Sequence, residues 1–164
     1  MTERLDKLAV ALGHRLQIAQ LMLATAESCT GGWVAKVVTD IPGSSSWFDR
    51  GFVTYTNGAK QDMLGVPARV LELHGAVSEE VALAMARGAL EHSLAGVAIA
   101  VTGIAGPDGG TEDKPVGTVW FAWALEGREP VAQRVQFAGN RDEVRHQSVR
   151  LALERLLELL TGGD

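Results

Sequence analysis

Two serines and a lysine are the first candidates for chemistry in this chain of 164 residues. Ser44 and Ser45 lie in a loop shaped by Pro42 and Gly43, where a serine hydroxyl can be exposed. Lys60 is predicted in the first turn of a short helix, where the positive end of the helix dipole disfavours a charged amine. If that site is also partly buried, the amine can be neutral enough to act as a base. A serine with a neutral lysine is an established pair of nucleophile and base, whereas a polar turn and a solvated lysine are the ordinary alternative.

The only tyrosine and the only cysteine lie close to these residues in the sequence. Tyr55 ends a predicted strand, where its hydroxyl can donate to an oxyanion or its ring can simply pack. Cys29 is a rival nucleophile, because a thiol near a helix N-terminus can have a lowered pKa. Packing beneath a loop is the interpretation of Cys29 that we favour. The four histidines are scattered and show no metal-ligand spacing, so we expect no catalytic metal and no cofactor.

Two glycine-rich loops, residues 27–32 and 102–110, each follow an apolar run that is typical of a buried strand. Glycines let the backbone approach a ligand and let several N–H groups face one anion. A helix that begins after Gly31 and Gly32 would add its positive end. Neither loop matches a Walker A motif or a dinucleotide fingerprint, and each one alone is compatible with a tight turn. Two such loops at strand ends favour a ligand site, since ligands bind at that edge of α/β sheets.

The spacing of apolar residues predicts helices and strands that alternate through most of the chain and then a hairpin. Asn57 and Ser78 are the expected caps of two helices, and Asn140 with Glu143 is the expected cap of the last one. Strands are predicted at residues 21–26, 51–56, 97–101, 116–125 and 131–137, and the helix after the first glycine loop at about residues 32–39. We therefore predict an α/β fold in one domain, residues 1–164 with a core of about 5–160, with three layers (α/β/α) and a mixed β-sheet.

Composition and charge exclude several classes of function. Hydrophobic residues make up 46% of the chain, charged residues 21%, and the net charge is −5. A broad DNA-binding surface normally carries a basic excess, so we expect no nucleic-acid partner. No apolar run reaches the length of a membrane span or a signal peptide, and a single cysteine fits a reducing compartment. We expect a cytoplasmic protein without a membrane partner, and we leave a homo-oligomer open.

Six motifs taken in order carry a family resemblance. They are residues 26–32, 42–45, 53–57 with Lys60, 75–78, 102–110 and 114–119. Together they resemble the CinA C-terminal domain family, also called the nicotinamide-nucleotide amidohydrolases, over nearly the whole chain from about Leu5 to Leu160. The resemblance implies hydrolysis of nicotinamide mononucleotide to nicotinate mononucleotide and ammonia in pyridine nucleotide recycling. It thus implies a small nucleotide as the partner.

The resemblance also implies roles for individual residues. Ser45 matches the nucleophile, although Ser44 stays open as the alternative, Lys60 matches its base and Tyr55 their catalytic neighbour. Residues matched to the surroundings of the substrate, or grouped with them in the first glycine loop, are Ser28, Thr30, Gly31, Thr102 and Gly103. The segment 137–141 with Arg145 is similar to a basic motif of the family, so either Arg141 or Arg145 is expected at the phosphate.

Two other classes of function are compatible with the same glycine loops. One is a module that binds and senses pyridine nucleotides without turnover, and the other is an interaction domain in DNA uptake or repair. The presence of Ser45, Tyr55 and Lys60 favours the enzyme. Longer CinA proteins carry a further N-terminal domain linked to nucleotide pyrophosphatase activity, and we do not expect that activity in this chain.

Overall fold

In the computed structural model, residues 2–162 are described, so positions 1, 163 and 164 of the predicted domain lie outside the described residues. Within residues 2–162 the chain forms six α-helices, five β-strands and one short 3₁₀ helix. In chain order they are α1 (Thr2–Ala19), β1 (Leu23–Glu27), α2 (Trp33–Thr39), the 3₁₀ helix (Ser44–Ser46), β2 (Phe48–Val53), α3 (Asn57–Leu64), α4 (Ala68–His74), α5 (Glu79–Glu91), β3 (Val97–Gly103), β4 (Thr118–Leu125), β5 (Val131–Gln136) and α6 (Arg141–Leu160).

The five strands form one mixed sheet in the order β2-β1-β3-β4-β5. β1 runs parallel to β2 and to β3, whereas β4 is antiparallel to both of its neighbours. The registers Glu27↔Val53 and Glu27↔Val101 bring the carboxyl ends of the three parallel strands to one edge. The loops that leave these three strands therefore meet at that edge, and the predicted mixed sheet is confirmed.

Helices cover both faces of the sheet. On one face α1, α2 and α6 pack around large apolar side chains such as Phe121 and Trp123 of β4, and the Trp123 indole donates to the Ala152 carbonyl at 3.0 Å. On the other face α3, α4 and α5 pack on small residues of the strands, including Ala98 and Ala100. Because both faces are covered, every residue of β1 is buried. The predicted three-layer α/β/α arrangement is confirmed.

The helix caps follow local rules in all but one of the predicted cases. Ser78 accepts from the Val81 N–H, and Asn140 with Glu143 forms a reciprocal capping box. The prediction for Asn57 is wrong, since the side chain of Thr56 caps α3 and Asn57 is its first helical residue. The predicted strand at 51–56 begins earlier, at Phe48, and ends at Val53; the short helix α4 was not predicted.

Candidate active site

Lys60 places a buried amine at the edge where the parallel strands end. Only 1% of its surface is exposed. Its Nζ lies 3.0 Å from the Oγ of Ser28, 3.0 Å from the carbonyl oxygen of Thr54 and 3.2 Å from that of Tyr55. Both carbonyls belong to the segment between β2 and α3, which folds back over the amine. The side chain is therefore held in one position, with a serine hydroxyl as a neighbour.

The surroundings of Lys60 suit a neutral amine. Burial lowers its pKa from the ordinary lysine value. A neutral amine has two N–H donors and one lone pair, and the carbonyls of Thr54 and Tyr55 can accept both donors. The lone pair then faces the Ser28 hydroxyl, as a general base requires. If the amine is charged, its third N–H donates to Ser28, whose own hydroxyl lies 3.3 Å from the Tyr55 carbonyl and can donate there.

Ser28 is the first residue after β1 and begins the first glycine loop. Its backbone N–H donates to the Val101 carbonyl of β3 at 2.9 Å, which fixes the loop to the neighbouring strand. Gly31 (φ 60°) and Gly32 (φ 101°) then turn the chain into α2 through conformations that other residues rarely adopt. This sharp turn leaves the Ser28 side chain at the strand edge, next to the amine of Lys60.

A cavity of about 260 Å³ opens over Ser28 and Lys60. The first glycine loop forms its floor, the segment after β2 forms one wall, and the second glycine loop forms the opposite wall. The lining residues are Ser28, Cys29, Tyr55, Asn57, Lys60, Ala76, Val77, residues 102–106, Asp108, Gly109 and Arg141. The two glycine loops thus share one cavity at the carboxyl ends of parallel strands, which is where ligands bind in α/β folds.

Arg141 bridges the two walls of this cavity. It is the first residue of α6, and its Nη2 donates to the Tyr55 hydroxyl at 2.9 Å while its Nη1 donates to the Gly106 carbonyl at 2.8 Å. Thr102, also in the cavity wall, donates to the Ala76 carbonyl at 2.9 Å. The guanidinium therefore supplies a positive charge to a cavity that also contains a serine and a buried lysine.

Arg145, the other candidate for a phosphate contact, lies on the far side of the first glycine loop. Its Nε donates to the Cys29 carbonyl at 3.0 Å, its Nη2 donates to the Thr30 carbonyl at 3.3 Å, and its guanidinium lies 5.6 Å from the centre of the Trp33 ring. With Gly31 it lines a separate groove. Arg145 holds the loop from outside and does not line the cavity over Lys60.

The first turn of α2 is not available to an anionic ligand, which corrects the expectation for that helix end. The backbone N–H groups of Val34 and Ala35 already donate to the carboxylate of Glu27. The Thr30 hydroxyl also donates to Glu27, and Thr30 is fully buried. Thr30 and Gly31 were predicted beside the substrate, but the structure places neither of them in the cavity over Lys60.

The structure does not bring Ser45 to Lys60, and this corrects the predicted pair. Ser44 and Ser45 form the 3₁₀ helix that precedes β2, and the carbonyl of the following Trp47 accepts from the N–H at the start of β1. Ser28 and Lys60 lie beyond the opposite ends of these strands. The six residues of β2 span roughly 20 Å at about 3.3 Å per residue. Ser28 is therefore the serine that contacts Lys60.

Cys29 lines the same cavity but has the properties of a packed side chain. It is 5% exposed, and burial raises the pKa of its thiol to about 12. A thiol with such a pKa stays protonated near neutral pH and is a poor nucleophile. This agrees with the packing role expected for it.

Sequence reasoning underrated Ser28 and missed Asn57 and Asp108. Ser28 was matched only to the surroundings of the substrate, although it directly follows a buried strand at the edge where ligands bind. Asn57 and Asp108 line the cavity from the two loops on either side. Both residues follow strands whose carboxyl ends lie at the edge where ligands bind, but an Asn and an Asp in a loop did not by themselves indicate a site.

Among the side chains that the structure describes, no three of His, Cys, Asp or Glu are grouped closely enough to hold a metal ion. None of the helices in the described part of the chain combines the length and the apolar character needed to cross a membrane.

Comparisons with known proteins agree with the resemblance found in the motifs. The family model for the CinA C-terminal domain matches residues 5–160. A protein from Escherichia coli strain K12 named nicotinamide-nucleotide amidohydrolase PncC is 55% identical over 152 residues, which cover 93% of this chain and 92% of that protein. A Pseudomonas putida protein of the same name is 51% identical over 154 residues, covering 94% and 96% respectively. The crystal structure of competence/damage inducible protein CihA from Agrobacterium tumefaciens matches with a TM-score of 0.93 and 47% identity over 96% of both chains.

Proposed function

Because this chain belongs to the CinA C-terminal domain family, we propose that it hydrolyses nicotinamide mononucleotide to nicotinate mononucleotide and ammonia. Relatives that it matches over nearly their full length carry the name of an amidohydrolase, and the chain is an enzyme of that class. The substrate and the residues that act on it are our proposal. The observation that carries it is the 3.0 Å contact between the Lys60 amine and the Ser28 hydroxyl inside the cavity.

Ser28 is the nucleophile in this proposal, and Lys60 is its base. Neutral Lys60 takes the proton of the Ser28 hydroxyl as Oγ attacks the carboxamide carbon, which gives a tetrahedral oxyanion. The protonated amine then returns that proton to the departing nitrogen, so that ammonia leaves and an acyl-enzyme remains. Lys60 next takes a proton from water as the water attacks the ester carbon. As this second intermediate collapses, the bond between its carbon and Ser28 Oγ breaks, protonated Lys60 returns its proton to Oγ, and the nicotinate product leaves.

Tyr55 is our candidate for stabilising the oxyanion. Its hydroxyl oxygen already accepts from Arg141 at 2.9 Å, so its own proton is available to a ligand in the cavity. A donor aimed at the charge that develops in the transition state lowers the barrier. The Arg141 guanidinium orients that phenol.

Arg141 is the group that we assign to the phosphate. It is the cavity arginine, whereas Arg145 is directed to two loop carbonyls. A phosphate can replace the Gly106 carbonyl as the partner of the guanidinium and form the stronger, charge-assisted bond, while the second nitrogen keeps its bond to Tyr55. Holding the phosphate at this end fixes the carboxamide over Ser28, so binding is converted into orientation.

The decisive experiment measures ammonia release from nicotinamide mononucleotide by the wild type and by matched serine variants. Ser28→Ala and Lys60→Ala should each lower kcat by about 10⁴-fold or more, and the double variant should be little worse, because the two groups act as a unit. Ser45→Ala is the matched control and should keep near-normal turnover, since Ser45 is exposed at the opposite sheet edge. Near-normal turnover by Ser28→Ala, or loss of turnover in Ser45→Ala, would overturn the assignment.

A further inference from the structure

A carboxylate is buried directly beside the proposed nucleophile. Glu27 is the last residue of β1, is 1% exposed and precedes Ser28. Its Oε1 accepts from the Thr30 hydroxyl at 2.6 Å and from the Val34 N–H at 2.9 Å, and its Oε2 accepts from the Ala35 N–H at 3.0 Å. All three donors are neutral. A buried carboxylate is costly unless its oxygens are well hydrogen-bonded, so a specific role is expected of it.

All three donors lie in the segment that follows Ser28. The carboxylate therefore ties the end of β1 to Thr30 and to the first turn of α2, and the glycine loop is the short stretch between these points. Gly31 and Gly32 give that loop its turn but also give it freedom to move. From the outside, Arg145 donates to carbonyls of the same loop. Thr30 is thus held on both sides, since its hydroxyl donates to Glu27 and its carbonyl accepts from Arg145.

We propose that Glu27 is a positioning residue that fixes the Ser28 hydroxyl within reach of the Lys60 amine. The inference rests on the proposed function of Ser28 and Lys60. Glu27 does not line the cavity, so it acts on the reaction only through the loop that it holds. The alternative is that Glu27 only stabilises the start of α2, in which case its loss lowers the stability of the fold without a specific effect on the rate.

The principal variant is Glu27→Gln, which keeps the size of the side chain but replaces one acceptor oxygen by an NH₂ group facing a donor. A displacement of about 1 Å at a reacting group can cost about 100-fold in rate, so kcat should fall by about 10- to 100-fold. KM should change by less than about threefold, because Glu27 is outside the substrate cavity. The rate at which a fluorophosphonate probe labels Ser28 should fall in parallel with kcat.

Two sets of variants separate positioning from a general loss of stability. Glu79→Gln is the matched control, since Glu79 is an exposed carboxylate in the first turn of α5. It should keep kcat within about twofold. If Glu27→Gln does not fold, Thr30→Val removes the 2.6 Å bond without changing the charge and should lower kcat in the same direction. Thr30→Ser keeps the hydroxyl and should restore most of that loss.

The outcomes distinguish this inference from the proposed function. Wild-type ammonia release from nicotinamide mononucleotide tests the function, whereas the ratio of variant to wild type, in turnover and in probe labelling, tests Glu27. If the wild type labels at Ser28 but releases no ammonia, the substrate assignment fails and the labelling ratio still decides the role of Glu27. A lower melting temperature in Glu27→Gln with unchanged kcat and labelling would overturn the inference. A wild type with neither activity overturns both proposals.

Discussion

Replacing Lys60 by Met tests whether the buried amine is held in its neutral form. Met has a similar length and no charge, so the variant removes the titration of Lys60. It also leaves the Thr54 carbonyl without its donor, which costs about 1–3 kcal/mol at any pH, whereas the Tyr55 carbonyl keeps the Ser28 hydroxyl as a donor. The sign of the effect at one pH is therefore uninformative, and the dependence on pH is the diagnostic quantity.

The direction of that dependence follows from the lowered pKa of Lys60. Between its folded pKa and the ordinary lysine value of 10.5, the unfolded chain binds more protons at this residue than the folded chain. The free energy of unfolding of the wild type therefore rises with pH across that window, by about 1.4 kcal/mol for each unit by which folding lowers the pKa. The Met variant lacks this gain, so its deficit relative to the wild type should grow as the pH rises towards 10.5.

The assay is urea unfolding of both proteins at several pH values from 7 to 10.5. Lys36→Met is the control, because Lys36 is an exposed lysine whose pKa is raised by its hydrogen bond to Asp40. Its difference from the wild type should be flat between pH 7 and 10. The kcat/KM of the wild type should rise with pH through the same titration that the unfolding curves reveal for Lys60. A deficit of Lys60→Met that is independent of pH would refute the reasoning.

Two further predictions concern the other candidate residues. Cys29→Ala should keep most of the turnover, and the wild-type thiol should resist iodoacetamide near neutral pH, because burial raises its pKa to about 12; a loss of turnover of about a thousandfold in Cys29→Ala would instead indicate thiol chemistry. Arg141→Ala should weaken binding of nicotinamide mononucleotide by about 1.5–3 kcal/mol in calorimetric titration and leave binding of phosphate-free nicotinamide riboside nearly unchanged. Arg145→Ala is its matched control and should preserve the preference for the phosphorylated ligand, so an equal preference in Arg141→Ala and the wild type would contradict the assignment.

The layers and most of the caps were predictable because they follow from local rules. Apolar spacing predicted the strands and every helix except α4, and the Ser78 cap and the pair of Asn140 and Glu143 formed as their types and spacing require. The cap of α3 was misplaced by one residue because Thr56 and Asn57 are both good capping residues. The elements that position the site were therefore largely predictable from local sequence patterns.

The composition of the site was less predictable because it depends on contacts between distant residues. Ser45 is 15 positions from Lys60 along the chain, and Ser28 is 32 positions from it. Strand β2 lies between Ser45 and Lys60, so these two residues are at opposite ends of the strands. The loop of Pro42 and Gly43 and the family resemblance favoured Ser45 as the partner of Lys60, whereas the structure brings Ser28 to the amine. Arg141 and Arg145 are one helical turn apart on α6, and sequence spacing places both near one face. Only the packing of α6 against the first glycine loop decides which of them enters the cavity.

Glu27 and Lys60 are both buried near Ser28, and they have separate hydrogen-bond partners. Glu27 and Lys60 lie within one small site, yet the carboxylate is bound to donors of the first glycine loop and α2, whereas the amine is bound to Ser28 and two carbonyls. A close carboxylate would favour the ammonium form and raise the pKa of Lys60. Burial is the largest influence on Lys60 and lowers its pKa. A buried carboxylate thus precedes Ser28 while the amine that contacts the Ser28 hydroxyl has a lowered pKa, which is the combination that our proposals for Glu27 and Lys60 require.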